Sequence, residues 1–447
     1  MSAPLLLFAW SVIAGLAFLF VPPVRRRARG FAAAASAVAA VGVLAMPVES
    51  PLEILGLPLK VPAAWVILGR AMVLDPTNRL AIALLYFGGA VLFAAAGASF
   101  AGRGRVVAGW TMLASLAGAL LIRPFLFAAV FFELAALAGA VVLSSSDSES
   151  QEPSMRLLMV MTPAMLCVLL AGWFVDTAGV TSATPDLARS ATGLLLFGFA
   201  ILLAVPPFHL WLPPAAAARR GDGAAFVLLA LQTTGLMLAL RFLDTYDWLR
   251  QSADLYRSIR LAGLITAGVG ATAALAETDG AKSTVYSLLS DIGPVLVALG
   301  LPGGSGVSLA IALGALRIAG FGMATLGWRP DRDPAHPWQA AAAIYGRLSL
   351  AGFPLTPSFP ARALLLGTLF AVDAPAFWIL GIASIALTWT ALRGGRLRAL
   401  SGTDVTGLAR PGRIIAALVV CLALSVIPGP LIGALAAGSA AWANLSP

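Results

Sequence analysis

Long apolar runs separated by short polar connections fill this chain from end to end. They fall at about 4–21, 31–47, 79–98, 106–122, 124–143, 157–175, 191–210, 224–243, 259–276, 284–301, 306–327, 339–371, 376–392 and 413–429. A helix needs about 20 apolar residues to cross the hydrocarbon of a bilayer. The pattern therefore predicts an all-α polytopic membrane protein of about 14 transmembrane helices. A membrane barrel would show short alternating segments of about ten residues instead. Two runs carry breaks. Run twelve is too long for one straight span and contains Gly352-Phe353-Pro354-Leu355-Thr356-Pro357, and run seven ends in Val205-Pro206-Pro207. Proline removes a backbone donor and clashes with the preceding turn. Broken helices survive in a membrane only where protein or a polar cavity satisfies the freed groups. Two breaks in corresponding halves point to an inverted repeat with a central ion path.

Composition agrees with the pattern. Of the 447 residues 60% are hydrophobic and 11% charged, and the mean hydropathy is +0.93. A soluble domain carries about 25% charged residues, so lipid is the solvent here. The net charge of +9 comes from 27 Arg and two Lys against 20 acids. In a soluble chain that balance would suggest nucleic acid; in this one it reads as arginine held in cytoplasmic loops. Seventeen Lys and Arg fall in connections after odd-numbered runs and 8 in those after even-numbered runs. That asymmetry puts the odd connections in the cytoplasm of a bacterial inner-membrane protein, with both termini on the outer, periplasmic side. The first run has no small-residue cleavage site after it and reads as helix one rather than a signal peptide. Cys167 and Cys421 lie in apolar runs and the two His are far apart, so no disulfide or metal motif is indicated. No connection has room for a nucleotide fold or a phosphate-binding loop, so no cofactor is expected.

Charges retained inside the apolar runs need a reason, because an unpaired charge at the bilayer centre costs several kcal/mol, about 2.5 or more. Glu133 stands in the middle of run five, far from Arg123, so any partner must come from another helix. It reads as an ion-path carboxylate or as a packing carboxylate paired to a neighbour. His209 follows the proline pair of run seven and is a candidate proton relay, or an interfacial histidine beside Trp211. Asp291 in run ten reads equally as a helix-end cap and as an ion-path residue. Arg317 stands alone in run eleven, while Arg347 and Arg362 bracket the break in run twelve. Arginine keeps its proton, so these three are fixed positive charges rather than carriers. Arg347 also fits a side chain snorkelling or pairing near a helix end. Gln232, Thr233 and Lys282 are the remaining polar candidates for the path.

These residues sit in motifs that resemble one family, the antiporter-like proton-translocating membrane subunits of respiratory complex I, membrane-bound hydrogenases and multisubunit Na+/H+ antiporters. Val205-Pro206-Pro207-Phe208-His209-Leu210-Trp211-Leu212-Pro213 is similar to the family's VPFHxWLPDA. Leu348-Ser349-Leu350-Ala351-Gly352-Phe353-Pro354-Leu355-Thr356-Pro357-Ser358-Phe359 is similar to LSLAGIPPTxGF. Tyr286 to Gly293 is a weaker match to YSSISHxG, Phe131-Phe132-Glu133-Leu134 resembles the fifth-helix FxxxELxSL, and Val73-Leu74-Asp75-Pro76 resembles the segment entering helix three. The order is the family's, with spacing most similar to complex I subunit N. The resemblance implies one domain over residues 1–447 holding two five-helix repeats, about 124–243 and 259–392. It also implies that Glu133 matches the family's fifth-helix glutamate, Arg362 its twelfth-helix Lys or Glu, Arg317 its eleventh-helix lysine and Asp291 its tenth-helix His. Two expected lysines are replaced, one by Leu202 and the other by Gln232. Without the first, Glu133 lacks the cation the family pairs with it and is expected to stay neutral.

The leading functional expectation is a membrane subunit of a multisubunit energy-coupling complex, related to NADH-quinone oxidoreductase, that moves protons or Na+ through a central polar path. The missing lysines motivate a second, a structural subunit that no longer pumps. An ion-coupled secondary transporter is a third. The expected partners are other membrane subunits and the lipid bilayer, with no nucleic acid. Any redox centre would belong to a partner, since the chain has no cluster-binding cysteines and no catalytic centre of its own is expected.

Overall fold

The computed structural model describes residues 2–22, 27–48, 51–54, 57–67, 69–96, 100, 102–144, 151–178, 184–217, 221–301, 305–326, 337–400, 411–426, 442 and 444–445. Its helices are α1 (Ala3–Phe20), α2 (Ala28–Ala45), α3 (Pro76–Ala95), α4 (Arg103–Leu121), α5 (Ala128–Leu143), α6 (Glu152–Ala178), α7 (Pro185–Leu202), α8 (Leu212–Ala217) and α9 (Gly221–Thr245). They continue as α10 (Asp247–Arg250), α11 (Ala253–Ala276), α12 (Gly280–Ser290), α13 (Ile292–Leu299), α14 (Ser305–Leu326), α15 (Pro337–Ala351), α16 (Phe359–Val372), α17 (Ala374–Leu400) and α18 (Pro411–Val426).

Each apolar run coincides with a helix or a pair of helices. Among the described residues eleven helical stretches are long and apolar enough to cross a membrane alone. That number does not by itself confirm the expected count of about fourteen transmembrane helices, two of them broken. Run ten is split into α12 and α13, run twelve into α15 and α16, and α18 has 16 residues. The split in run ten was not expected. Pro294, three residues past Asp291, has no N–H to offer the Ser290 carbonyl, which is a sufficient cause for the interruption. The breaks in runs seven and twelve fall where the prolines predict them. The loop arginines on which the orientation rests include Arg25, Arg26, Arg219, Arg220, Arg329, Arg332 and Arg410, which lie outside the described residues.

The polar stretch after α2 adds strands to the all-helical expectation. Here β1 (Pro51–Ile54) pairs antiparallel with β2 (Leu57–Lys60), and β3 (Ala64–Ile67) with β4 (Arg70–Val73). Gly69, with φ +73°, supplies the left-handed residue of the second turn. The short β5 (Ile122–Arg123) then joins β4 with Met72 opposite Ile122.

The chain divides into two compact units. The first comprises residues 1–94, 100–203 and 230–251, and the second comprises 95–99, 204–229 and 252–447. Within the first, α4 packs on α1 and α5, α5 on α6, and α6 on α7. Within the second, α11 packs on α12, α13 and α17, while α14 packs on α13 and α15. The spans differ in what they show to lipid. About 94% of the most apolar stretch of α9 and 83% of that of α14 are buried, against 33% for α1, α7 and α17. The buried spans can therefore carry arginines, Arg241 on α9 and Arg317 on α14, that never meet the hydrocarbon.

At one end of the first unit, Asp75 gathers four elements. Its Oδ1 accepts from the Asn78 amide at 2.9 Å and from Thr77 Oγ1 at 2.5 Å, capping α3. Its Oδ2 pairs with Arg123 of β5 at 2.5 Å and with the buried Arg241 of α9 at 3.3 Å. Arg241 also donates to the Leu120 carbonyl, which accepts from Asn78 Nδ2 as well, at 3.2 Å. Burial pushes the Asp75 carboxyl up, but the charge of Arg241 and the hydrogen bonds from Thr77, Asn78 and Arg123 outweigh it, leaving it below the ordinary carboxylate range. A depressed folded value means that the stabilisation is fully present above the unfolded pKa of about 3.9 and fades as pH falls through the lower folded value. Asp75→Asn is thus expected to lower the thermal midpoint of the detergent-solubilised protein at pH 7. The two midpoints should converge as the pH is taken below about 4.

Candidate functional site

The second unit holds the charge cluster. Asp291 sits at the junction of α12 and α13, with helical backbone angles and no side-chain capping bond to α13. The helix-end cap expected as one reading is therefore not what its carboxylate does. Oδ2 accepts from Arg317 Nε at 3.0 Å and Oδ1 from Arg362 Nη2 at 2.6 Å. All three residues are buried, at 4%, 3% and 6% exposure. Charge-assisted bonds of this length are among the stronger ones in proteins. In a dry interior they offset the large desolvation cost of the ions, provided the other donors are also met.

Arg317 meets its remaining demand with the Leu288 carbonyl at 3.4 Å and the face of Phe321, 4.8 Å from the ring centre. Arg362 does more. The break after α15 leaves the last four carbonyls of that helix without partners along the helix. The Leu348 carbonyl accepts from the Phe353 amide, and that of Ser349 from the Gly352 amide and the Ser358 hydroxyl. Those of Leu350 and Ala351 accept from Arg362, at 2.6 and 3.5 Å. A cation at a helix C-terminus also meets the negative end of the helix dipole. One side chain therefore pairs with the acid and satisfies the broken helix. Gly352 makes room for it. Its φ is +73°, and a Cβ there would lie 2.4 Å from Arg362 Cδ.

The bend at Asp291 is held from behind. A Cβ on Gly263 of α11 would fall 2.7 Å from the Gly293 carbonyl oxygen, so α11 and α13 approach at a distance only small residues allow. Ser290 and Ser283 reinforce this contact, donating to the carbonyls of Ala267 and Ala274 at 2.9 Å each. Arg347 is buried but stands apart from the cluster. Its Nη2 donates to Ser283 Oγ and to the Thr390 carbonyl, at 3.1 Å each, tying α15 to α12 and α17. That is the pairing alternative, made inside the protein rather than by snorkelling. His209 lies in the non-helical stretch between α7 and α8, edge-on to Tyr286 at 6.0 Å, with its Nδ1 buried and unpartnered among the described residues. Lys282 is half-buried on α12 and makes no ion pair among the described residues.

The first unit holds the other candidates. Glu133 on α5 is half-buried. Its Oε1 accepts from Thr162 Oγ1 of α6 at 3.1 Å, and its Oε2 is buried with no partner among the described residues. Its partner comes from another helix and is a hydroxyl. Gln232 on α9 is fully buried and donates Nε2 to the Leu203 carbonyl at 2.7 Å, just past the end of α7. Gln232 thus satisfies a carbonyl freed by the break. Thr233 is buried beside it on α9.

Sequence reasoning missed two things here. One is Arg362 as a helix cap, for which the signal was its place 10 residues beyond Gly352 with a proline-rich turn between. The other is Arg241 with Asp75, whose pairing spans 166 residues and leaves no local pattern. Removing Asp291 would leave two buried guanidinium groups uncompensated. Asp291→Asn is expected to cost about 3–5 kcal/mol, read as a lower unfolding midpoint in detergent. Adding Arg317→Met should recover part of that loss. An Asp291→Asn protein as stable as the wild type would refute the clamp.

Comparisons with known proteins can be set against this geometry. The sequence profile of the family described as NADH:quinone oxidoreductase/Mrp antiporter, TM, matches residues 184–319, which include His209, Gln232, Asp291 and Arg317. NADH-quinone oxidoreductase subunit N of Salinispora arenicola is 28% identical over 300 residues, 59% of this chain and 57% of that protein. The same subunit of Chromohalobacter salexigens is 26% identical over 288 residues, 57% of this chain and 60% of that one. The matched stretch thus spans less than two thirds of those relatives. Among solved structures, a chain of the membrane-bound sulfane sulfur reductase, an archaeal respiratory membrane complex, superposes with a TM-score of 0.82 at 15% identity, covering 100% of this chain and 98% of that one. A chain of respiratory complex I from Thermus thermophilus gives 0.74 at 21%, covering 99% of both. A chain of the Mrp complex from Dietzia sp. gives 0.77 at 20%, covering 98% of this chain and 51% of that one. With the broken helices in place, the profile crosses the first of them, and over residues 184–319 the chain is similar to the family described as NADH:quinone oxidoreductase/Mrp antiporter, TM.

Proposed function

We propose that this chain is a membrane subunit of a multisubunit energy-coupling complex and that it moves protons or cations along buried polar groups. The observation that carries this reading is Asp291 held between two arginines at a helix break. It is the one acid in that cluster, and so the one member that can take up and release a proton, because arginine stays charged. Arg362 links its state to the backbone. If Arg362 leaves Asp291 while still holding the carbonyls of α15, the carboxylate is free to accept a proton. A bistable element of this kind is what alternating access needs. The names of the relatives support a complex, since they are subunits of NADH-quinone oxidoreductase and chains of larger assemblies. The two five-helix repeats, about 124–243 and 259–392, and the outward placement of both termini belong to the same proposal, as does the bacterial inner membrane in which it sits.

A second reading is favoured by the first unit. Leu202 replaces the expected cation and Gln232 is tied to the Leu203 carbonyl. Glu133 is met by Thr162 alone among the described residues. These substitutions suit a subunit that kept the architecture and gave up pumping. The two readings separate in proteoliposomes holding the parent complex, with proton uptake followed by a pH-sensitive dye. Glu133→Gln retains an acceptor for Thr162, and Arg362→Lys retains a cation. Translocation predicts that each lowers the protons moved per turnover by about the share one subunit carries, with the complex still assembled. The structural reading predicts unchanged coupling in both, and loss of assembly only when the chain is deleted.

A further inference from the structure

The first unit has an apolar groove that neither the charge cluster nor the proposed function uses. It has a volume of about 390 Å³ and runs between α1, α3, α4 and the start of α5. That is within the range of small-ligand sites, roughly 300–1,000 Å³. Its walls come from membrane spans, and Phe8, Leu16 and Leu134 on its rim are 53%, 49% and 47% exposed. The polar atoms in the wall serve one another. Ser11 Oγ bonds Tyr86 Oη at 3.2 Å and the Leu7 carbonyl at 2.9 Å, and Trp110 Nε1 donates to the Ser11 carbonyl at 2.8 Å. A wall whose only other side-chain donors are the Thr111 and Ser115 hydroxyls is largely apolar and favours a hydrocarbon occupant.

One end of the groove reaches the bilayer edge, at Pro4, Met72 and Leu121, where α1 begins and α4 ends. Three arginines stand close along the chain to residues lining that end. Arg70 lies two residues before Met72 on β4 and so on the same strand face. Its guanidinium stands 4.1 Å above the ring of Phe127. Arg123 follows Leu121 by two residues, and its side chain is 45% exposed. Arg79 precedes Tyr86 of the groove wall by two helical turns, on the same face of α3. Its Nε and Nη2 are shielded from solvent with no partner among the described residues. Asp75 is the one acid in residues 69–79 and 120–125, and it is already engaged by Arg123 and Arg241. The lining at that end of the apolar trough is thus flanked along the chain by three arginines and by one acid already engaged.

We infer that this groove binds one anionic phospholipid, with an acyl chain lying between α1 and α4 and the phosphate held by Arg70, Arg79 and Arg123. The charge at the mouth selects the headgroup, and guanidinium groups suit phosphate oxygens. The groove holds the acyl chain by van der Waals packing, the bilayer being as apolar as the groove. The inference depends on the chain spanning a membrane and is independent of any ion transport.

The test uses the full-length chain in nanodiscs of phosphatidylcholine containing a minor fraction of phosphatidylglycerol. It is extracted in mild detergent, and retained lipid is counted by native mass spectrometry. One phosphatidylglycerol per chain is expected, in excess over its fraction in the disc. Arg70→Gln with Arg79→Gln should abolish that excess. So should Gly15→Leu, which fills the groove from α1, where an added Cβ would meet only Trp110, at 3.7 Å. The wild-type comparison of the two lipids stands even if a variant fails to fold. Equal retention of phosphatidylcholine would overturn the inference, as would retention unchanged in folded variants. So would a photo-crosslinker at Val12 that captures a partner protein's helix from native membranes instead of a lipid.

Discussion

Everything in the second unit leans on one carboxylate shared by two arginines. Asp291, Arg317 and Arg362 together bring one negative and two positive charges into a region with almost no solvent access. Such a group is held to the extent that its donors find acceptors, and in Arg362 Nε is buried without a partner among the described residues. The broken helix provides such acceptors, because its orphan carbonyls need cations and donors as much as the arginines need acceptors. The break in run twelve and the arginine beyond it are two halves of one solution. Gly352 is the geometric condition for it, and the close contact of Gly263 with Gly293 fixes the acid that completes it.

This arrangement changes what the buried charges mean. In the second unit the cluster holds one member able to change charge, Asp291, beside two fixed arginines, and in the first unit Gln232 gives its amide to the Leu203 carbonyl. On the proposed reading, uptake of a proton is localised at Asp291. The same facts explain the stability of the region, since the arginines that clamp the acid also close the helix ends.

Much of the fold was legible in the sequence because lipid imposes a coarse rule. Backbone groups in hydrocarbon must be satisfied locally, so apolar runs become helices and prolines mark the breaks. The helix pair at Asp291 was less legible, since Pro294 sits in a run whose length suited one span. The strands after α2 were invisible to a reading based on hydropathy, because four-residue strands carry little periodic signal. Of the site, the identities of Asp291, Arg317 and Arg362 could be picked out by the cost of burying charge. Their contact could not, for it joins residues 26 and 71 positions apart. Arg347 and Lys282 look the same in sequence yet stand outside the cluster, because what decides is which helix face meets which.

The central claim is that Asp291 gains and loses a proton while Arg317 and Arg362 stay charged. Infrared difference spectroscopy of the reconstituted parent complex, recorded as a proton gradient is imposed and released, measures this directly. The account predicts a protonated-carboxyl C=O band that appears and disappears with the gradient, responds to isotope-labelled aspartate and shifts in Asp291→Glu. A spectrum with no aspartate carboxyl band, from a complex that still couples, would contradict it.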